Sequence, residues 1–343
     1  MVYRKRLNSE NISFVICEMN LICYQRRADH SENRWSGQQK PDWMLGDGLS
    51  FSKRLIEARK QMLSGVRSVA STQPNALQLH SLRPMRIIIE HDPESASNRA
   101  AEIISSLVQQ RPSCVLGLAT GSTPLGIYQK LIARHQNHKL DFANVTTFNL
   151  DEYVGLGPGD PQSYRFFMQE NLFNHINIPP ENTHVPDGRA LDFDSYSIQY
   201  EKSIQEAGGI DLQVLGVGGD GHIAFNEPGS SLGSRTRLKT LTSETVKDNA
   251  RFFDDIENVP RLAVTVGVGT ILESRKCLLV AFGEHKARAI SQAVEGPVTA
   301  QVTASALQLH PDVTVILDQA AACHLQRKAY YAEVEESHRL LEK

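Results

Sequence analysis

Residues 210–237 read IDLQVLGVGGDGHIAFNEPGSSLGSRTR. The run from Ile210 to Val217 has the length and β-branched content of a buried strand. It then breaks into Gly216, Gly218, Gly219 and Gly221, a backbone that can turn sharply and approach a ligand closely. Asp220, His222, Asn226 and Glu227 are set into that segment. Ionisable groups crowded past the end of a buried strand place a candidate site at the carboxyl edge of an α/β sheet. The competing reading is a strand followed by a surface turn with scattered polar residues, so the rest of the chain has to decide.

Working outward, the chain from Met85 alternates strands and helices. Apolar strands are expected at Met85–Glu90, Cys114–Leu118, Asn144–Leu150, Leu262–Val268, Lys276–Phe282 and Val313–Leu317. Helical spacing occupies Pro93–Gln109, Pro124–His135, Tyr164–Ile176, Ser195–Ala207 and Glu284–Ala293. Strands separated by helices of this length imply right-handed crossovers. The fold class is therefore α/β: a doubly wound, mostly parallel sheet with helices on both faces. No internal repeat or low-complexity linker follows Met85, so residues 85–343 read as one domain.

Residues 1–84 are different. They carry 13 Lys/Arg against 7 Asp/Glu, a net of +6, while the whole 343-residue chain has a net charge of −3. One amphipathic helix is expected over Phe51–Val69, and elsewhere the apolar content is too low to offset the entropy of ordering. The expectation is a poorly structured basic extension, with the natural start at Met85. The mildly acidic balance argues against nucleic acid as a partner. No apolar stretch is long enough to span a bilayer. Five cysteines with no CxxC pair point to a reducing, cytoplasmic setting.

Three further groups sit at strand ends. After Leu118 comes Ala119-Thr120-Gly121-Ser122-Thr123-Pro124. Pro124 suits a first helical position, and the residues before it leave N–H and hydroxyl donors at a helix N-terminus, where phosphate binds. The lysine of a nucleotide P-loop is missing, and a plain helix cap is the alternative. Asp151 ends the third strand in FNLDEY, as a general base or a turn-capping carboxylate, with Glu152 pointing elsewhere. Lys286 and Arg251 are candidate cations for the same phosphate, or solvated surface charges. Asp220-Gly221-His222 is not a zinc signature, and no GxSxG nucleophile motif is present. Proton transfer on a small phosphorylated molecule, a sugar phosphate, fits the set.

The motifs LGLATGSTPLGIYQKLI, TFNLDEYVGL, GVGGDGHIAFNEPGSSLGSRTR and AVTVGVGT occur in that order. Over residues 85–325 the sequence resembles glucosamine-6-phosphate deaminase of the glucosamine/galactosamine-6-phosphate isomerase family. The resemblance implies a Rossmann-like sheet and conversion of glucosamine 6-phosphate and water into fructose 6-phosphate and ammonia, in amino-sugar catabolism, with no metal or other cofactor. It implies Asp151 as the base moving a proton between C2 and C1, and His222 as the group assisting ring opening, supported by Asp220 and Glu227. Gly121, Ser122 and Thr123 match the phosphate loop, with Arg251 and Lys286 completing the contacts. Ser230, Arg237, Lys239 and Thr240 match an activator site for N-acetylglucosamine 6-phosphate between subunits of a hexamer. The sequence departs from the family in the 84 residues before Met85, where members begin; an extension there implies altered effector control.

Two rivals remain. A 6-phosphogluconolactonase or another sugar-phosphate isomerase would keep a phosphate loop and a histidine without needing Asp151 together with GDGHIAFNEP. A sugar-phosphate-sensing domain of a transcription regulator would need a DNA-binding module, and residues 1–84 show no helix-turn-helix pattern.

Overall fold

The computed structural model describes residues 85–341; the basic extension 1–84 and its expected helix lie outside the described residues. The strands are β1 (Arg86–Glu90), β2 (Val115–Leu118), β3 (Thr146–Asn149), β4 (Asp151–Tyr153), β5 (Thr183–His184), β6 (Leu212–Leu215), β7 (Arg237–Thr240), β8 (Leu262–Thr265), β9 (Cys277–Ala281) and β10 (Val313–Asp318). The α-helices are α1 (Pro93–Gln110), α2 (Ser122–Gln136), α3 (Tyr164–Asn171), α4 (Phe193–Glu206), α5 (Ser243–Asn249), α6 (Val268–Leu272), α7 (Ala287–Val294) and α8 (Lys328–Leu341).

Seven strands form one sheet in the order β1-β10-β9-β6-β2-β3-β5, with every neighbouring pair parallel. Consecutive residues of a strand point to opposite faces, and here both faces are buried. Ile87, Val115, Leu279 and Val315 pack on one face against Tyr200 and Ile204 of α4 and Ile290 of α7. Ile88, Leu116, Leu278 and Ile316 pack on the other against Ile104 of α1 and Ile127 and Leu131 of α2. Burial on both faces is why these strands are nearly continuous apolar runs, and it gives the expected doubly wound architecture.

The remaining strands depart from expectation. The segment expected as one strand to Leu150 is split. β3 ends at Asn149, and β4 starts a second sheet, β4-β8-β7, with both pairings antiparallel. The strand expected at Leu262–Val268 belongs to this second sheet rather than the parallel one. A small core of Tyr153, Phe225, Leu241, Val246, Val259 and Ala263 fills the space around it.

The two sheets are tied through Glu201 of α4, which is 8% exposed. Its Oε1 accepts from the Thr236 N–H at 2.7 Å, the Thr236 hydroxyl at 2.6 Å and the Thr270 hydroxyl at 2.6 Å. Its Oε2 accepts from Arg235 Nη2 at 2.6 Å. Thr236 enters β7 and Thr270 lies in α6, so one carboxylate fixes both to the main layer. Glu201→Ala strips that carboxylate from four buried or half-buried donors and should cost about 3 kcal/mol in urea unfolding. Glu206→Ala, at an exposed i,i+4 pair with Lys202 on the same helix, should cost well under 1 kcal/mol; equal losses would refute the tie.

Candidate active site

β2 is flanked by β3 on one side and β6 on the other, so the chain diverges from β2 at the carboxyl edge. Crevices of this kind hold ligands in open α/β sheets. The ends of β2, β3, β6 and β9 open onto a pocket of about 410 Å3.

At the end of β2 the chain turns through Gly121, whose φ of 94° lies in the left-handed region that favours glycine. Gly121 is the N-cap of α2 and no side chain caps the helix. Gly121, Ser122 and Thr123 line the pocket, so the unpaired N–H groups of the helix start and the hydroxyls of Ser122 and Thr123 form an anion cradle. The helix begins at Ser122, two residues earlier than expected, and Pro124 takes its third position rather than its first. Below it, Tyr128 donates its hydroxyl to Ala119 O at 2.5 Å and fixes the end of β2.

Asp151 opens β4, one residue past the end of β3, is 7% exposed and lines the pocket. Burial, and then the adjacent Glu152, push its carboxyl up to about 8. Glu152 points the other way, as strand alternation requires. It accepts the backbone N–H groups of Tyr153, Tyr164 and Arg165, each at 2.9 Å. Burial pushes it up to about 7, against those three donors.

His222 lies over Gly218, where a Cβ would fall 2.3 Å from its Cε1, so the close approach needs glycine. His222 Nδ1 is 2.7 Å from Asp220 Oδ1, which also accepts the His222 N–H at 3.0 Å. Burial works to raise Asp220, but the hydrogen bonds and charge of His222 outweigh it and hold the carboxyl below its usual range. Glu227, 2% exposed, accepts the Thr242 N–H at 3.0 Å and its hydroxyl at 3.3 Å. Thr242 is the N-cap of α5, whose Thr245 and Asp248 line the pocket rim.

Asp220, His222 and Glu227 present oxygens and nitrogens within 4.8 Å of one another, a spacing that would also suit a metal ion. Glu227 is already engaged by Thr242, and Asp220 accepts the His222 N–H with its carboxylate 2.7 Å from the ring, so as folded these are neighbouring acid–base groups that already have protein partners. Lys286 lines the pocket half-buried; burial lowers its pKa, Arg251 adds to this, and Asp248 and Asp220 oppose it. Arg251 is exposed, rests over the Phe252 ring at 4.8 Å and reaches Ser122 Oγ at 3.5 Å.

The structure thus gathers Asp151, His222, Gly121, Ser122, Thr123, Arg251 and Lys286 around one pocket, with Asp220 and Glu227 beside His222 rather than on its wall. Ser230, Arg237, Lys239 and Thr240 do not line it. Ser230 donates its N–H to Glu227 O at 3.0 Å and its buried hydroxyl has no partner among the described residues. Arg237 donates to Asn226 Oδ1 at 3.0 Å. Along β7, Arg237 and Lys239 share the less exposed face and Thr240 the other. Sequence reading missed Tyr164, Asp248 and His285, which also line the pocket. Thr242 as a helix cap could have announced α5; nothing local marks Tyr164.

The profile of the family described as glucosamine-6-phosphate isomerases/6-phosphogluconolactonase matches residues 92–316. The chain is 54% identical over 251 residues to a glucosamine-6-phosphate deaminase of Hahella chejuensis, covering 73% of this chain and 96% of that protein. It is 51% identical over 238 residues to one of Thermoanaerobacter pseudethanolicus, covering 69% and 94%. Among solved structures, a monomeric glucosamine-6-phosphate deaminase superposes with a TM-score of 0.69 at 44% identity, covering 70% of this chain and all of that one. A 6-phosphogluconolactonase from Trypanosoma cruzi, at 22% identity and a TM-score of 0.58 over 72% of this chain and 98% of that one, shares the fold.

The state of Asp151 has a consequence for stability. Its folded pKa, about 8, lies above its ordinary value near 3.8. Between those values the unfolded chain is ionised and the folded one protonated, so folding takes up a proton and stability falls as pH rises. Asp151→Asn should melt like the wild type near pH 4 and increasingly above it up to pH 8, after which the gap stays constant. A gap in melting temperature that does not change with pH would contradict the assignment.

Proposed function

The chain belongs to the family of glucosamine-6-phosphate isomerases and 6-phosphogluconolactonases, and we propose that it converts glucosamine 6-phosphate and water into fructose 6-phosphate and ammonia, in the catabolism of amino sugars in the cytoplasm. The observation that carries the reading is a buried, proton-holding Asp151 on the same pocket as His222 and an uncapped helix start.

In this reading the phosphate sits at Gly121, Ser122 and Thr123, with Lys286 and Arg251 as its cations. Those contacts hold the sugar at a distance from the reacting carbons, so that remote binding energy orients the ring. His222, oriented by Asp220 at 2.7 Å, moves the proton that opens the pyranose. Glu227 supports it from the α5 side. Asp151 then takes the proton from C2 and delivers it to C1, turning the amino aldehyde into a ketose imine. Water adds at C2 and ammonia leaves, which balances the reaction without an oxidant or reductant. Asp151 must ionise to start this step, and the cationic 2-ammonium group of the substrate favours ionisation. No residue role here requires a metal.

The finer part of the proposal is regulatory: assembly as a homo-oligomer, a hexamer, with N-acetylglucosamine 6-phosphate binding at Ser230, Arg237, Lys239 and Thr240. Its support is that Ser230 closes the turn that carries Glu227 and that Arg237, from β7, donates to the neighbouring Asn226, so that an effector there would bear on the acid–base group.

The test is release of ammonia and fructose 6-phosphate from glucosamine 6-phosphate, with and without N-acetylglucosamine 6-phosphate. Turnover is expected, with kcat/KM rising with pH through an apparent pKa near 8, since that profile reports the base of the free enzyme. Asp151→Asn should lower kcat by about 100-fold or more while inorganic phosphate still binds. Lys286→Ala should mainly raise KM. A folded chain that turns over a phosphogluconolactone but not the amino sugar would overturn the reading.

A further inference from the structure

On the far side of the Asp151–Glu152 step lies a second cavity, of about 250 Å3, bordered by Glu152, Arg165, Asp187 and Gly188. Glu152 is 2% exposed and does not face the catalytic pocket. Its three partners are backbone N–H groups, two of them, from Tyr164 and Arg165, at the start of α3. Tyr164 itself lines the catalytic pocket. One side chain therefore joins β4, which carries Asp151, to the helix that supplies another wall of the site.

We infer that Glu152 is a positioning residue of the proton-transfer step, holding Asp151 toward the pocket from behind and setting a second negative charge beside it. The mechanical half follows from alternation. Consecutive strand residues face opposite ways, so anchoring Glu152 to α3 fixes the direction of Asp151. The electrostatic half follows from two carboxyls on adjacent buried residues, which resist ionising together.

Burial raises both groups, Asp151 to about 8 and Glu152 to about 7, and the neighbouring charge adds to the rise of Asp151. Three N–H donors favour the ionised form of Glu152, so it gives up its proton first and Asp151 keeps its own. The groups around Asp151 do not reverse this order. Tyr153, Tyr164 and Tyr200 are kept neutral by burial, which raises all three. Arg165 faces Glu152, and His222 and Lys286 lie across the catalytic pocket. The missing cation is one that a substrate brings. A sugar phosphate with a 2-ammonium group unmasks the base, and one without it leaves Asp151 protonated. The inference rests on the deaminase reading and gives it a reason for preferring an amino sugar.

The experiment compares wild type, Asp151→Asn, Glu152→Gln and the double variant by thermal unfolding from pH 5 to pH 9. It adds the pH profile of kcat/KM for the wild type and Glu152→Gln. Glutamine keeps an acceptor oxygen for α3 and loses the charge. The pH at which the stability added by Asp151→Asn stops growing, and the acid limb of kcat/KM, should both move down by about one unit in the Glu152→Gln background. Two unmoved midpoints with a uniformly lowered kcat, or a Glu152→Gln chain that does not fold, would assign the residue to the fold alone and overturn the inference. If the wild type shows no turnover the deaminase reading fails, and the melting comparison still decides whether the two carboxyls are coupled.

Discussion

Leu150 belongs to two sheets at once. Its N–H donates to Leu118 O of β2 at 3.2 Å, and its carbonyl accepts from the Val266 N–H, just past β8, at 2.7 Å. The chain is thus handed from the parallel sheet to the antiparallel one within a single residue. Asp151, the next residue, falls at the seam with almost no exposed surface. A strand that simply ended there would leave a solvated carboxylate in a loop, ionised and ordinary. The junction is what makes the carboxyl both buried and open to a pocket.

Around that seam the protein keeps its carboxyls in opposite states by environment alone. Among the described residues Asp151 has no cation at contact distance, and it is raised by burial. Asp220 is only half-buried, has His222 at 2.7 Å and is held down. Groups of one chemical kind with proton affinities driven apart are the usual way a site carries an acid and a base together. Glu227 belongs to the same set but looks outward, to the cap of α5. Through Glu227 the cap of α5 is thus placed next to the acid–base group.

The parallel sheet was legible because strands buried on both faces must be nearly continuous apolar runs, as VLGL and CLLVA are. The second sheet was not, because its strands DEY and RLKT are charged or alternating and short. Their pairing is set by tertiary contacts such as Glu201 with Thr236, which leave no local period. The same division runs through the site. Asp151, His222 and the cradle stand just past strands that could be read, so their convergence could be inferred. Tyr164 and Asp248 reach the pocket from helices whose positions depend on Glu152 and Glu227, side chains that bind backbone across 12 and 15 residues of sequence. The early start of α2 has a similar cause. The left-handed turn at Gly121 closes the loop more tightly than Pro124 alone would dictate.

A fold shared by enzymes of different chemistry places the burden of function on what is local. A parallel sheet with an uncapped helix start will hold a phosphate whatever the rest of the substrate is. Opening a ring needs a proton moved at an oxygen, which His222 with Asp220 can do. Moving hydrogen from one carbon to the next demands a group that takes a proton from a weak acid and keeps it until the adjacent carbon is ready. A solvated carboxylate with an ordinary pKa would lose that proton to water. Burial at the Leu150 seam, reinforced by the charge behind it, raises the proton affinity of Asp151 toward neutrality and closes that exit. The antiparallel sheet, which adds little to the main core, earns its place in the molecule by building that environment.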